Sequence, residues 1–257
     1  MIKNNYHTHT KRCYHAIGED EQYVKAAIKA GIKQLGFSDH TPWHYESSFE
    51  ASMRMPESKL DDYLNSIRYL KEKYKNEIDI LIGLECEYFE RYLPWLKNMI
   101  KEKDIDYIIL GNHYYQTDEL HKYFGTPVDE YYLKSYVDHC IKAIDSGLYS
   151  YIAHPDLVYY DQSSDLYKQE MSRLCAYAKE KDMPLEFNLL GFETKRHYPN
   201  DTFWQIASKY QNKAIIGYDA HTPDSLLNDK VYNQAYNYLK SLNVELIDSI
   251  KLKKETF

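Results

Sequence analysis

The chain has 257 residues, of which 39 are acidic and 32 are basic, and its formal net charge at pH 7 is -7. This acidic balance argues against a general attraction for nucleic acid or for an anionic membrane surface. The chain has no apolar run of the roughly 20 residues that a membrane helix needs, and its start lacks the apolar stretch of a signal peptide. We therefore expect a cytoplasmic protein. The length predicts a single domain over residues 1–257, and it leaves open whether the chain forms a homo-oligomer.

Four cysteines are scattered along the chain, at positions 13, 86, 140 and 175, without any CxxC spacing. This pattern argues against a disulfide framework and against a zinc cluster built from paired thiolates. We expect most of them to be ordinary buried thiols.

Short apolar runs alternate with longer segments of helical period, which is typical of β/α units around a parallel sheet. Seven strands are predicted to end within residues 7–9, 37–40, 82–85, 110–113, 152–155, 185–188 and 216–219. Helices are predicted over residues 21–30, 59–75, 93–101, 129–145, 166–181, 202–210 and 225–240. Asp201 and Asp224 are the predicted N-caps of the last two helices. If these strands form a barrel, all their carboxyl ends lie on one face, where active sites are assembled.

Nine side chains that can bind metal recur almost always where a predicted strand ends and a loop begins. They are His7, His9, His15, His40, Glu85, His113, His154, Asp219 and His221. The imidazoles of His7 and His9 leave the same face of an extended segment, so one ion can reach both rings. Asp219 and His221 repeat this spacing. Imidazole and carboxylate ligands suit zinc, manganese or iron, and Glu85 can bridge two ions through its two oxygens.

Each of these motifs also has a simpler interpretation. The histidines of a His-x-His pair can be surface or capping groups, and the turns at His40 and His154 can be purely structural. Glu85 could belong to a solvated acidic loop. The joint placement at strand ends favours a multi-metal site, whereas His121 and His139 fall outside it and are read as surface or core residues.

The longest segment without a clear period, residues 41–56, is predicted to be a lid or binding loop. Its side chains Trp43, His44, Tyr45, Arg54 and Met55 are expected to form a wall over the site.

The sequence resembles the PHP family, named for polymerase and histidinol phosphatase, over nearly its whole length. The matching motifs are His7-Thr8-His9, His15-Ala16 with Gly18, Ser38-Asp39-His40, Gly83-Leu84-Glu85, Gly111-Asn112-His113, Ala153-His154-Pro155 and Asp219-Ala220-His221. Within the family the chain looks closest to the histidinol-phosphate phosphatases. The residues that carry this similarity are Cys13-Tyr14-His15-Ala16, Tyr63, Glu85-Cys86-Glu87-Tyr88 and Leu185-Glu186-Phe187-Asn188. The resemblance implies a distorted seven-stranded (β/α) barrel of the TIM type, with three divalent metal ions at the carboxyl-end rim of the strands.

The resemblance also implies how the ligands divide among the three ions. One ion takes His7, His9, Glu85 and Asp219. A second shares Glu85 and adds His113 and His154. A third takes His15, His40 and His221. Asp39 is then expected to orient His40 or a bound water.

The resemblance is imperfect after Asn188, where the relatives usually carry an early arginine. Here the first arginine is Arg196, which we predict to bind the phosphate because a guanidinium matches the oxygens of a phosphate group. A basic surface turn is the alternative. Glu19 could bind a cationic amine of the substrate, or it could be a solvated residue at the start of a helix.

These features predict a metal-dependent phosphatase that hydrolyses a small phosphate monoester, with L-histidinol phosphate as the first candidate. Glu85 and Asp219 are the predicted catalytic residues. The proton for the departing alcohol could come from Asp219, from His197 or from a metal-bound water. Alternatives are a phosphoesterase acting on a nucleotide, a sugar phosphate or phosphotyrosine, and a metal-binding regulatory module without catalysis.

Overall fold

Strands and helices alternate along the chain in a computed structural model that describes residues 3–252. The strands are β1 (Asn4–Asn5), β2 (Gln34–His40), β3 (Asp79–Cys86), β4 (Tyr107–Leu110), β5 (Leu185–Asn188), β6 (Lys213–Gly217) and β7 (Glu245–Leu246). The helices are α1 (Asp20–Lys29), α2 (Leu60–Lys73), α3 (Leu93–Glu102), α4 (Glu130–Ser146), α5 (Asp165–Glu180), α6 (Leu189–Glu193), α7 (Asp201–Lys209) and α8 (Asp229–Ser241). The predicted α/β class is confirmed. The ends of the predicted domain, residues 1–2 and 253–257, lie outside the described residues.

All strand pairs are parallel, and they form two curved sheets in the orders β1-β2-β3-β4 and β5-β6-β7. The strand predicted to end at residues 152–155 is represented by isolated bridges from Ile152 to Leu110 and to Leu185. A further bridge joins Thr8 to Ala220. Because the pairing is parallel, the carboxyl ends of the strands lie on one side, as the β/α rhythm predicts. These ladders do not by themselves confirm a continuous seven-stranded barrel.

A small apolar cluster fills the concave side of the sheets. Its buried members are Tyr6, Leu81, Tyr107, Ile109, Tyr151, Ala153 and Ile215. The Tyr107 hydroxyl satisfies its hydrogen-bonding need by donating to the carbonyl of Tyr6 at 2.7 Å. A larger apolar cluster lies between the sheets and the helices, so the strands are buried on both faces. This packing holds the strand ends, and the polar side chains that follow them, in fixed positions.

The helices agree with their predicted positions to within a few residues, but both predicted N-caps are wrong. Asn200, not Asp201, caps α7 by accepting a hydrogen bond from the backbone of Phe203 at 2.9 Å. Asp224 lies inside a short 3-10 helix whose cap is Thr222, and α8 begins only at Asp229. Both aspartates instead occupy a first turn, where the helix dipole stabilises a carboxylate. The short α6 was not predicted.

None of the helices within residues 3–252 combines the length and the apolarity that a bilayer span requires.

Candidate metal centre

A cavity of about 420 Å³ opens at the carboxyl ends of the strands. Eight of the nine predicted metal ligands line it, together with Arg196. The ninth, His7, is fully buried and contacts the others through its ring. Side chains that are up to 214 residues apart in the sequence, from His7 to His221, therefore meet in one place.

Glu85, at the end of β3, lies at the centre of this cluster. Its carboxylate oxygens are 2.9–3.6 Å from ring nitrogens of His7, His9, His40, His113 and His154. Gly111, one residue beyond β4, makes this position possible because a Cβ there would collide with the carboxylate. Oε2 of Glu85 is buried and has no hydrogen-bond partner among the described residues. An oxygen that is out of water and unpaired is suited to bind a cation.

His7, His9 and Asp219 form one edge of the cluster. The Nε2 atoms of the two imidazoles are only 3.1 Å apart, and Oδ1 of Asp219 lies 3.4 Å from the first and 3.2 Å from the second. Two nitrogens bound to one zinc ion at about 2.0–2.1 Å have a similar separation. Oδ1 of Asp219 is also buried without a hydrogen-bond partner within residues 3–252. This donor set fits a metal ion.

Two of the predicted ligands have unusual backbone conformations. His154 has a φ of 29° and Asp219 a φ of 49°, in the left-handed region that non-glycine residues rarely adopt. Such strain persists only where the surrounding structure enforces it, and it concentrates at functional sites. The backbone N–H of His154 donates to Oε2 of Glu186 at 3.0 Å, which helps to hold the strained segment.

The carboxylates and imidazoles of the cluster shift one another's pKa. Burial acts to raise the pKa of Glu85, but His113, His40 and His7 outweigh it and hold that pKa well below its usual range. Burial also acts to lower the pKa of His7, whereas Glu186, Asp219 and Glu85 together raise it well above its usual value. The carboxylates thus remain ionised and attract a positive charge, which a proton or a metal ion can supply.

Glu186, in the middle of β5, contacts the candidate site and was not among the predicted site residues. It is fully buried, and its Oε1 accepts a hydrogen bond from Nδ1 of His7 at 2.8 Å, which turns Nε2 of that ring toward the cavity. Gly217 leaves the space that this carboxylate occupies. The signal in the sequence was a glutamate between Leu185 and Phe187, in a strand that is otherwise buried.

Glu87 supports His113 in the same way, from the opposite side of Glu85. Its Oε1 lies 3.1 Å from Nδ1 of His113, and its two oxygens accept hydrogen bonds from Arg54 at 2.7 and 2.9 Å. Arg54 is buried, and its Nε lies 3.1 Å from Asp118. The loop of residues 41–56 is therefore anchored to the cluster of candidate ligands through an ion pair.

The prediction that the side chains of this loop form a wall over the site is wrong. Trp43, Arg54 and Met55 are buried, and the Trp43 indole N–H donates to Glu87 at 2.9 Å. None of the five residues that were expected to form the wall lines the metal cavity; Met53 does so instead. The loop uses its large side chains for packing because they are mostly apolar, and Arg54 is drawn inward by two buried carboxylates.

Asp39 and Cys13 lie beside the cluster at the end of β2 and in the loop after β1. Asp39 accepts the backbone N–H of His40 at 2.8 Å and lies 3.5 Å from Nδ1 of His9, so it reaches the His9 ring rather than the His40 ring. Cys13 is fully buried. Burial acts to raise the pKa of its thiol, but hydrogen bonds with three imidazoles, first that of His15, lower the pKa to about 5.

The two predicted substrate-binding residues lie in different surroundings. Arg196 lines the cavity and donates from Nη1 to the hydroxyl of Tyr198 at 2.7 Å. Glu19 precedes α1 and pairs with Lys11 at 2.6 Å on the surface, and it is not among the residues that line the cavity. Nε2 of His197 lies 2.6 Å from the carbonyl of Leu157, and the His197 ring is also outside the cavity lining.

Several groups of three donor atoms within this region are close enough to hold a metal ion. In each group the atoms lie within 4.8 Å of one another. Groups include His7, His9 and Glu85; His9, His40 and His221; His40, Glu87 and His113; and Cys13, His15 and His221. His139, in α4, stacks instead on Tyr115 with ring centroids 5.6 Å apart, outside these groups.

The protein has curved parallel sheets with histidines and carboxylates at the strand ends. This arrangement places it in the class of α/β proteins whose site lies at the carboxyl ends of parallel strands. The sequence profile of the PHP domain matches residues 5–189, which is more than half of the chain. The chain belongs to the PHP domain family.

Curated relatives and a solved structure agree with this assignment. The chain is 25% identical to a probable histidinol-phosphatase of Deinococcus radiodurans, over 84% of this chain and 85% of the relative. It is also 25% identical to the histidinol-phosphatase of Bacillus subtilis, over 86% and 94% respectively. A crystal structure of histidinol phosphate phosphatase from Lactococcus lactis, complexed with zinc, L-histidinol and phosphate, superimposes with a TM-score of 0.67. That comparison covers 97% of this chain and 98% of the other at 18% identity, and it supports the fold.

Proposed function

We propose that this protein is a metal-dependent phosphatase that hydrolyses a small phosphate monoester, and that its substrate is L-histidinol phosphate. The observation that carries the proposal is the cavity in which eight potential metal ligands and Arg196 face one another. A cluster of metal ligands beside a guanidinium is suited to bind and cleave a phosphate group. The names of the relatives from Deinococcus radiodurans and Bacillus subtilis support the substrate.

We also propose that the site holds three divalent ions, with zinc, manganese or iron as the candidates. The first would be held by His7, His9, Glu85 and Asp219. The second would share Glu85 and add His113 and His154. The third would be held by His15, His40 and His221. The unpaired, buried atoms of Glu85, Asp219 and His221 support this assignment, since each is a free donor beside the cavity. The zinc in the structure of the Lactococcus lactis relative supports it as well.

Held by these residues, such ions would supply Lewis acidity and would lower the pKa of a water molecule beside the phosphate. Hydrolysis would form a bond between a water oxygen and phosphorus and break the ester bond, whose electron pair passes to the alcohol oxygen. The water loses one proton in this step and the alcohol oxygen takes one up. Asp219 is proposed to move that proton. Its pKa is held well below its usual range because, although burial acts to raise it, His7 and His221 outweigh the effect. It is therefore ionised at first and can accept a proton before releasing it.

Arg196 is proposed to bind the phosphate. Its Nη1 is held by Tyr198, and within residues 3–252 the other N–H groups of the planar guanidinium have no hydrogen-bond partner, on a side chain that lines the cavity. Glu19 is proposed to bind the amine of the substrate, which requires its surface ion pair with Lys11 to open.

The closed barrel is part of the same proposal. The bridges of Ile152 to Leu110 and to Leu185 would join the two sheets on one side, and the bridge of Thr8 to Ala220 would join them on the other. Counting the Ile152 segment with β1 to β6 gives seven parallel strands around the inner apolar cluster, which is the barrel that the family resemblance implies.

The test is metal analysis of the purified protein together with phosphate release from a panel of monoesters. The panel contains histidinol phosphate, a nucleotide, a sugar phosphate and phosphotyrosine. We expect bound divalent metal, release from histidinol phosphate well above the others, and loss of activity with a chelator. Metal-loaded protein that leaves histidinol phosphate intact but cleaves another member would contradict the substrate and keep the phosphatase class.

A further inference from the structure

Cys13 differs from the other three cysteines in what surrounds its sulfur. Cys86 lies beside the hydroxyl of Thr41, Cys140 accepts a hydrogen bond from Asn112 at 3.3 Å, and Cys175 is enclosed in the apolar packing around α5. The Cys13 sulfur, in contrast, lies in a group with one ligand atom each of His15 and His221, all within 4.8 Å of one another.

The backbone around Cys13 holds its sulfur in this position. The residue ends a short 3-10 helix, Lys11–Cys13, whose cap is Thr10. The hydroxyl and the backbone N–H of Thr10 are both held by the carboxylate of Asp39. Tyr14 follows with a φ of 68°, and this left-handed residue turns the chain back so that His15 comes over the sulfur.

Each of the two imidazoles has one nitrogen beside a backbone carbonyl and leaves the other nitrogen free. Nδ1 of His15 lies 2.7 Å from the carbonyl of Cys13, and Nδ1 of His221 lies 2.9 Å from the carbonyl of Asp219. Each contact leaves Nε2 as the nitrogen with a free lone pair. Nε2 of His221 is buried and has no hydrogen-bond partner among residues 3–252.

A second group of donors contains the same sulfur. Cys13 also lies within 4.8 Å of ligand atoms of His9 and Asp39. His9 is only 1% exposed, and its Nδ1 likewise has no hydrogen-bond partner in the described part of the chain. Sulfur and nitrogen donors on one zinc ion at about 2.3 and 2.0–2.1 Å are roughly 3.5 Å apart, a spacing that the 4.8 Å limit of these groups accommodates.

We propose that the thiolate of Cys13 is a ligand of the ion that His15 and His221 hold. This inference rests on the proposed metal site but not on the proposed substrate. The ion then has a mixed sulfur and nitrogen donor set, whereas the ions around Glu85 have nitrogen and oxygen donors. Thiolate ligands favour zinc and disfavour manganese, so this one position would select zinc.

The test uses cobalt(II), a spectroscopic substitute for zinc, added to the metal-free protein. A cobalt–thiolate bond gives an intense charge-transfer absorption in the near ultraviolet that imidazole and carboxylate ligands do not give. We expect this band in the wild-type protein, its loss in Cys13→Ser, and its retention in Cys175→Ser, a matched control at another buried cysteine. We also expect the zinc-over-manganese preference of Cys13→Ser to fall by about tenfold or more.

A wild-type protein that binds cobalt without the band overturns the proposal even if Cys13→Ser fails to fold. Persistence of the band in a folded Cys13→Ser variant overturns it as well. Because the readout is spectroscopic, a band that depends on Cys13 in a protein that leaves histidinol phosphate intact would support the ligand while contradicting the substrate. Failure to bind cobalt at all would contradict both the proposed metal site and the proposed thiolate ligand.

Discussion

His7 and His113 lie on opposite sides of Glu85, and each is backed by a buried glutamate that contacts its Nδ1, but the two glutamates differ in charge balance. Glu186, behind His7, forms no ion pair with a lysine or an arginine of residues 3–252. Glu87, behind His113, has both oxygens paired with Arg54.

This difference in charge balance means that the two glutamates support their histidines in two different ways. No lysine or arginine within residues 3–252 offsets the charge of the Glu186 carboxylate, so this residue both orients His7 and makes that ring a stronger donor to a cation. Glu87 is neutralised by Arg54, so it contributes mainly orientation and the anchoring of the loop of residues 41–56. We therefore expect the His7 side to depend on charge and the His113 side to depend on packing.

The largest effect on turnover is expected from a substitution of Glu85, which lies between His7 and His113. Glu85→Ala removes the carboxylate that contacts the imidazoles of both His7 and His113. Loss of a residue that only supports a ligand costs about 10–100-fold in metal affinity or activity, so loss of this shared ligand should cost about 10³-fold or more in turnover. Metal content per chain should fall as well. Glu72→Ala, which removes an exposed glutamate paired with Lys75, is the control. Unchanged metal content in Glu85→Ala would contradict the bridging role.

Arg54→Met tests whether the His113 side of the site depends on packing around the buried ion pair of Glu87 and Arg54. The variant leaves Glu87 and Asp118 buried without their cation, which should lower the free energy of unfolding by about 3–5 kcal/mol. Denaturant unfolding of the metal-free protein measures this loss. A loss below about 1 kcal/mol, typical of exposed ion pairs, would show that the pair is not buried in solution.

The pH dependence of that loss gives a second check. Burial acts to raise the pKa of Glu87, but Arg54 and His113 outweigh it and hold the pKa below its usual range. A carboxyl group with a folded-state pKa below its unfolded value of about 4.3 adds stability above that pH, and the contribution is lost as the pH falls further. The stability difference between wild type and Arg54→Met should therefore narrow in acid. A difference that grows below pH 4 would contradict the assigned pairing.

Glu186→Gln and Glu87→Gln compare the two sides directly. Both amides keep the shape of the side chain and remove the charge. Within the roughly 10–100-fold range known for residues that support metal ligands, we expect Glu186→Gln near the upper limit and Glu87→Gln near the lower limit. Metal titrations of the folded variants measure the two affinities. Equal losses would show that the charge balance around Arg54 does not matter.

The strand-end ligands could be predicted from the sequence because each sits in a local pattern. His-x-His in an extended segment, or a histidine after an apolar run, is visible within a few residues. The partners of these ligands are not visible in this way. Glu186 and His7 are separated by 179 residues, and only the sheet brings them together. The same holds for Arg54 and Glu87, which are also distant in sequence. The sequence therefore does not show that a buried ion pair anchors the loop of residues 41–56.

The errors in helix starts have a different origin. Asn200 and Asp201 are adjacent and both are good capping residues, so propensity alone does not decide which one begins the helix. At Asp224 a threonine two residues earlier takes the capping role, and the proline that follows that threonine suits the first turn of the 3-10 helix.

Substitutions of Arg196 test whether its guanidinium binds the phosphate. Arg196 follows β5, the strand that contains Glu186. Arg196→Met should lower kcat/KM by about 10–150-fold, which corresponds to the roughly 1.5–3 kcal/mol of a hydrogen bond to a charged group. Arg196→Lys should recover only part of this loss, because lysine keeps the charge and loses the planar fork. Lys195→Gln, at the exposed neighbour, is the control. A larger loss in Lys195→Gln than in Arg196→Met would move the phosphate contact to Lys195.

Glu19 should give the smallest effect, because it lies on the surface, outside the side chains that line the cavity on either side of Glu85. An exposed ion pair contributes about 0.2–1 kcal/mol, so Glu19→Gln should raise the KM for histidinol phosphate by no more than about fivefold and leave kcat unchanged. Lys11→Met provides the opposite change. It frees the carboxylate from its competing cation, and if Glu19 binds the substrate amine, the KM should fall. A KM that rises in Lys11→Met and stays constant in Glu19→Gln would assign Glu19 to the start of α1 alone.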